Sequence, residues 1–424
     1  MSVPWRLTAS TSSDRGVLAS SSIIVAGRIA SKFSIVAFLV VAARLLTREE
    51  YGIYSYVLVL AYTFAILADA QVSVIAGRDV AAGRRSPAVA YRSAMPVALA
   101  GGAVSAAAML LFGLIDDGPG TSESMLLVAG AYVIFNRLLG LGLDMLRALG
   151  RFKVEASIET GGTVLLVAGA TVAAAVGLGV TAVLVVFALH SLLAAAVCRL
   201  LLRDEVRAPA PAPGYRRSLV RSGIRLGFAA GATAVATRAP LVVLGLAGSA
   251  TAVAGYSAAM RFADTMYLLA LTAGQALLPS IASIMATDPH RARRLTRRAI
   301  AWTTIAGALL AGALAPFGSE VTAFAFGDSY RSAGPLMSAM MAGVPFVGMF
   351  WISWFALCAH GRERDVARLS VTCAGVSLLA AVLVIPGGGA LGAAWVYAGA
   401  LVLLALGTYA MFEHQVRDET ALPA

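Results

Sequence analysis

The stretch "AGRIASKFSIVAFLVVAARLL", residues 26–46, is apolar enough to enter a membrane, yet it carries Arg28 and Lys32 four residues apart. Each cation costs roughly 2.5–3.5 kcal/mol at a bilayer centre. The uncharged run from Phe33 to Ala43 is too short to span, since a spanning helix needs about 20 residues. The helix must therefore reach back past both cations to about Gly16, which puts the two charges near its middle. Charges in that position face a cavity or other helices, so the segment reads as one member of a bundle.

Composition agrees. The 424 residues are 59% hydrophobic and 13% charged, with a mean hydropathy of +0.82, whereas a soluble domain is about 25% charged. The chain reads as an all-α polytopic membrane protein. Its net charge of +11 would point to nucleic acid in a soluble protein; here it reports topology, and no nucleic-acid partner is expected. Cys198, Cys358 and Cys373 stand singly on apolar segments without metal-ligand spacing, so they read as core residues. No metal and no cofactor is expected. The opening "MSVPWRLTASTSSDRG" lacks an early apolar core with a small-residue cleavage site, so the first transmembrane helix is expected to do the targeting.

Twelve apolar segments of helical length follow one another, at about residues 17–46, 51–76, 93–115, 124–146, 154–177, 180–202, 222–247, 252–281, 299–317, 333–359, 367–385 and 390–412. Pro96, Pro240, Pro279 and Pro345 fall inside them, where proline kinks a helix and frees carbonyls. With a cytosolic N-terminus, 25 of the 33 basic residues lie on the inner side, in runs such as "GRRSPAVAYR", "RALGRFK", "YRRSLVRSGIR", "HRARRLTRR" and "GRERDVAR". The outer loops then hold Arg44, Arg48 and Arg331. The positive-inside rule thus places both termini in the cytosol and the chain in the cytoplasmic (inner) membrane. The break "LLRDEVRAPAPAPGYRRS", residues 201–218, reads as an extended linker. It divides six helices from six: an N-terminal bundle over 1–206, a Pro/Ala linker over 207–218 and a C-terminal bundle over 219–424. "EEYGIYSYV" opening the second helix is echoed by "TAVAGYSAAM" opening the eighth. Paired bundles of this kind are a transporter layout.

With the loops assigned, eight charges are read as lying inside the membrane: Arg28, Lys32, Asp69, Arg137, Asp144, Arg238, Arg261 and Asp264. Arg28 and Lys32 share a helix face and repel unless an anion sits between them, or unless an acid such as Asp69 pairs with them. Arg261 and Asp264, at i and i+3, can form an internal ion pair or line a cavity. Arg238 precedes Pro240 by two residues, where a kink can open the helix toward a cavity. Asp144 is near the cytosolic end of its helix and can snorkel. Arginine suits bidentate recognition of phosphate and lysine acts as a point charge, so a cavity lined by both suits a phosphate- or carboxylate-bearing substrate.

The run "RLLTREEYGIYSYVLVLAYTFAILADAQVSVIAGRDVA", residues 44–81, resembles the first outer loop and second helix of polysaccharide flippases in the multidrug/oligosaccharidyl-lipid/polysaccharide exporter superfamily. "AGYSAAMRFADTMYLLALTAGQALLPSIA", residues 254–282, is similar to their eighth helix, and "LRALGRFKVEA" to the inner loop after the fourth. The resemblance covers essentially the whole chain. It implies alternating access between two six-helix bundles, with a polyprenyl-diphosphate-linked oligosaccharide moved from the inner to the outer leaflet and a polysaccharide polymerase or glycosyltransferase as candidate partner. By position Arg28, Lys32, Arg238 and Arg261 match the family's cavity cations, while Asp69, Asp144 and Asp264 are candidates for coupling or gating. Asp69 stands on the second helix where relatives carry a cation.

Other functions fit less well. An ion-coupled drug exporter of the same superfamily would favour an acidic cavity, and the count here is five cations to three acids. Lipid II flippases usually have fourteen helices. A membrane enzyme needs a large outer loop or buried catalytic groups, but the outer breaks are as short as "GLGVT" and "AGSAT", and His190 alone lies well inside a helix, where a packed core role fits it. No catalytic residue is therefore assigned. No phosphate-binding glycine loop is present, and kinked helices with repeat symmetry favour a carrier over a channel.

Overall fold

The computed structural model describes residues 37–67, 71–115, 120–207, 213–285, 288–359 and 362–421, and every regular element among them is a helix. In chain order they are α1 (37–45), α2 (Arg48–Leu67), α3 (Val72–Ala81), α4 (Pro87–Ile115), α5 (Glu123–Ala148), α6 (Phe152–Ala175), α7 (Gly179–Leu201), α8 (Pro213–Ala247), α9 (Ala250–Met285), α10 (Pro289–Leu314), α11 (Gly318–Phe326), α12 (Gly334–Met341), α13 (Val344–Ala359) and α14 (Glu363–Ala421). Seven described helices are long and apolar enough to cross a membrane, or eight if the pair α12 and α13, bent by 44°, is one span.

Local chemistry sets the boundaries. Ser122 caps α5 by accepting from the Met125 amide at 3.4 Å, and Asp288 caps α10 from the Arg291 amide at 2.8 Å, with Pro289 in the first turn. These caps satisfy amides that a helix start leaves open. The second apolar segment, expected as one helix over 51–76, is divided into α2 and α3, and Gln71 at the start of α3 has φ 46. Pro345 does not kink a continuous helix: the chain breaks at residues 342–343 and Pro345 sits in the first turn of α13, where its missing amide costs little. Inside α14 Gly389 has φ 53 and ψ −144 just after Pro386, a conformation glycine adopts without a Cβ clash. The break falls between the expected segments 367–385 and 390–412.

Apolar side chains point outward as well as inward. Leu165, Trp302, Leu309 and Leu383 are each at least 70% exposed, a surface that water would not tolerate and that lipid covers. The chain is a multi-pass membrane protein. Inside, α2 packs on α4, α5 and α7 on one side and on α8 and α9 on the other, while α14 lies along α8, α12 and α13. The first turns of α8 reach back to the earlier helices: Tyr215 and Leu219 are buried with Met145, Leu146, Leu202 and Val206, and the Tyr215 hydroxyl donates to Asp79 Oδ2 at 2.9 Å.

One ion network joins α5 to α6. Arg147 binds Asp144 at 2.8 Å and the fully buried Glu155 at 2.6 Å. Removing one member of a buried pair typically costs about 3–5 kcal/mol. Arg147→Met, which strips the cation from Glu155, is expected to lower the melting temperature of purified protein by several degrees, and Glu155→Gln, which removes the buried charge, by less. An unchanged melt for Arg147→Met would show that the pair does not hold the helices together.

Candidate functional site

Arg238 on α8 and Arg261 and Asp264 on α9 meet in one cluster. Arg238 grips Asp264 with both terminal nitrogens, each 3.0 Å from a carboxylate oxygen, and donates to Met260 Sδ at 3.5 Å. Arg261 reaches the same carboxylate at 3.7 Å. The i, i+3 pair foreseen on α9 is thus the looser half of a triad, because the two-pronged geometry of Arg238 matches a carboxylate and the approach along one helix does not. The cluster retains one positive charge. Its side chains keep 13–24% exposure, and Arg261 Nε is buried without a hydrogen-bond partner among the described residues. Beside it on α9, Tyr267 packs edge-on against Trp351 of α13 at 5.3 Å.

Asp144 lies elsewhere. With Ser73, Asn136 and Arg137 it lines a cavity of about 180 Å³ between α3, α4 and α5, and Arg147 binds it. Glu155, which is not among the eight charges singled out from the sequence, completes that network. The available signal was opposite charge on either side of the tight turn at Leu149–Gly150. Arg28, Lys32 and Asp69 lie outside the described residues. His190 is half-buried against Gly162 in an apolar groove between α6 and α7. Among the described residues no group of three or more His, Cys, Asp or Glu could hold a metal ion.

The triad sits beside a seam where α2 meets the second half of the chain, and one end of that seam is tightly closed. Arg44 donates to the carbonyls of Ala325, at 2.9 Å, and Phe324, the last carbonyls of α11, where a cation complements the helix dipole. Arg48 donates to Ser329 O at 3.0 Å and Ser332 Oγ at 3.1 Å and lies over the Tyr330 ring. Gly52 allows α2 to touch the Ala250 carbonyl: a Cβ there would stand 1.9 Å from the oxygen. On the α2 side Tyr51 meets Tyr330 edge-on at 5.9 Å.

The triad geometry orders the variants. Arg261→Gln leaves the two-pronged pair intact and should fold at near wild-type yield. Asp264→Asn leaves two guanidinium groups without their carboxylate and should fold poorly, by roughly the 3–5 kcal/mol of a pair broken on one side. Adding Arg238→Gln to Asp264→Asn should restore more folded protein than adding Arg261→Gln. Equal rescue by the two, read from monodisperse yield, would contradict Arg238 as the principal partner.

A model of the family described as polysaccharide biosynthesis protein matches residues 41–335. No curated protein matches the chain. Among solved structures, an inward-facing multidrug resistance MATE family transporter of the MOP superfamily is 14% identical over 93% of this chain and 96% of its own, with TM-score 0.72. The lipid II flippase MurJ in an inward closed conformation is 12% identical over 92% and 87%, with TM-score 0.74. A MOP superfamily transporter from Pyrococcus furiosus, described as having a binding pocket of reverse polarity, is 13% identical over 94% and 95%, with TM-score 0.66. These likenesses show a shared fold, and the family match over most of the sequence shows that the chain belongs to the polysaccharide biosynthesis protein family.

Proposed function

We propose that the protein is an alternating-access flippase that carries a polyprenyl-diphosphate-linked oligosaccharide from the inner to the outer leaflet for cell-surface polysaccharide synthesis. The observation that carries this reading is the net positive triad of Arg238, Arg261 and Asp264 in membrane helices of a polysaccharide biosynthesis family member. A lipid diphosphate loses hydration on entering a membrane, and fixed guanidinium groups replace part of it. Arg261 is the group positioned to bind first, since its contact with Asp264 is long and its Nε is unpartnered. Arg238 stays clamped until Asp264 is displaced. Arg28 and Lys32 are proposed to complete the cationic wall, and Asp69, Asp144 and Asp264 are the acids proposed for coupling or gating. The sugars travel in water while the lipid tail stays in the bilayer between two six-helix bundles, 1–206 and 219–424, joined by the linker 207–218. Lipid II, which one fold neighbour is named for flipping, is itself a polyprenyl-diphosphate-linked saccharide, so the cargo class is one this fold handles.

The reading includes twelve spans in the inner membrane with both termini cytosolic. The clasp of Arg44 and Arg48 then lies on the outer side, which makes this arrangement one closed to the outside. Reporter fusions after Gly118 and Gly387 are expected to behave as external and one after Gly214 as cytosolic; an external signal at Gly214 would refute the topology.

Loss of the gene should abolish a surface polysaccharide and leave its lipid-linked precursor on the inner leaflet. At matched protein level Arg261→Gln should cut export about tenfold or more, the equivalent of one charge-assisted contact worth roughly 1.5–3 kcal/mol. Full export by a variant with both Arg238→Gln and Arg261→Gln would end the anion-binding reading.

A further inference from the structure

The echo between "GIYSYV" and "AGYSAA" has a structural counterpart. Tyr54 and Ser55 on α2, and Tyr256 and Ser257 on α9, are each 0% exposed, and the two helices pack on each other. Among the described residues none of these four hydroxyls has a hydrogen-bond partner, and neither do those of the buried Tyr51 and Tyr330 at the clasped end of the seam. A serine within a helix usually turns its hydroxyl onto the carbonyl four residues back, as Thr63 does here with Val59 at 2.8 Å. Ser55 and Ser257 do not, and neither do Ser93, Ser191 and Ser353 elsewhere in the fold. Each buried polar group without a partner costs about 1–3 kcal/mol, and native proteins keep such groups few. Several of them along one seam are a standing penalty on the closed state.

The penalty vanishes where the hydroxyls find partners, and the seam between α2 and α9 is the surface that must part when the clasped end opens. Tyrosine presents an apolar ring face together with a polar tip, which matches the apolar C–H face and hydroxyl rim of a sugar. On α9 Tyr256 and Ser257 stand one turn before Met260 and Arg261, and Arg238 donates to Met260 Sδ, so this pair adjoins the triad proposed for the diphosphate, while Tyr54 on α2 packs against Phe187 of α7. We propose that the repeated Tyr-Ser pairs, Tyr54–Ser55 and Tyr256–Ser257, are a carbohydrate subsite of the opened seam, buried while the seam is closed. This rests on the flippase reading. The sugar thereby favours opening, because it supplies bonds that the closed state lacks.

The experiment reads the open fraction from the distance between spin labels at Glu49→Cys and Asp328→Cys, both exposed on opposite sides of the clasp, with Cys198, Cys358 and Cys373 replaced by alanine. Protein in lipid nanodiscs is titrated with undecaprenyl diphosphate, or with lipid-linked oligosaccharide extracted from the host deleted for the gene. In the otherwise unsubstituted protein the oligosaccharide should raise the ratio of open to closed protein about fivefold or more over the bare carrier. In Tyr54→Phe/Tyr256→Phe, which keeps both rings, the two probes should act alike to within about twofold. Comparing probes within each protein removes any shift in the resting equilibrium that the substitutions themselves cause. A variant that keeps the full oligosaccharide gain overturns the subsite, leaving the hydroxyls to water. If neither probe moves the unsubstituted protein, the flippase reading falls and the subsite with it.

Discussion

The two-pronged bond between Arg238 and Asp264 is the interaction on which the arrangement of the second half turns. It ties α8 to α9 across a hairpin whose loop is only Gly248 and Ser249. A guanidinium placed in a membrane helix must find a counter-charge or water, and Asp264 supplies it at hydrogen-bonding distance on both prongs. The geometry then leaves Arg261 with the remainder of the same carboxylate. One acid serving two cations is a site that is stable enough to fold and still short of one negative charge. Under the proposed reading, an incoming anion would be attracted to such a place without having to break the strongest bond first.

The seam solves a different problem. At its clasped end the contacts are directional: arginine donors on carbonyls, an edge-on tyrosine pair and a glycine that lets backbone meet backbone. Directional contacts form and break as a set, because each depends on the others holding the helices in register. Around them lies a buried aromatic run that continues from Phe187 through Tyr54, Tyr51 and Tyr330 to Phe326, linking α7 to α11 through α2. Close packing favours discrete arrangements of such an interface over a continuum, and under the proposed alternating access the buried hydroxyls would weaken the closed one.

Hydropathy and charge made the class of fold legible, and most helices begin or end within a few residues of their apolar segments. The exceptions are informative. α8 starts at Pro213 and α10 at Pro289, well before the apolar segments at 222 and 299, because "YRRSLVR" and "HRARRLTRR" are basic and helical at once. Hydropathy finds the part of a helix that meets lipid, and it is blind to the turns that stand in water or, as with Tyr215, dock on a neighbour. For the site, the i, i+3 relation of Arg261 and Asp264 was visible in the sequence, but the closer partner was not. Arg238 is 26 residues away from Asp264 in sequence and reaches it through the packing of two helices whose relative rotation no local pattern encodes. Glu155 was hidden for the opposite reason: near a basic loop it looked solvated, and the turn at Gly150, with φ 74, folds it back against Arg147.

Arg44 and Arg48 join these lines of reasoning. They are among the few cations that the proposed topology places outside, and the positive-inside rule treats such residues as noise. In the structure both are engaged across the seam, one on the end of α11 and the other on the Ser329–Ser332 turn. A bias that disfavours arginine on the outer side leaves standing those arginines whose contacts outweigh it. Where a membrane protein departs from its own charge asymmetry, the departing residues are therefore a guide to contacts that the hydropathy pattern cannot show.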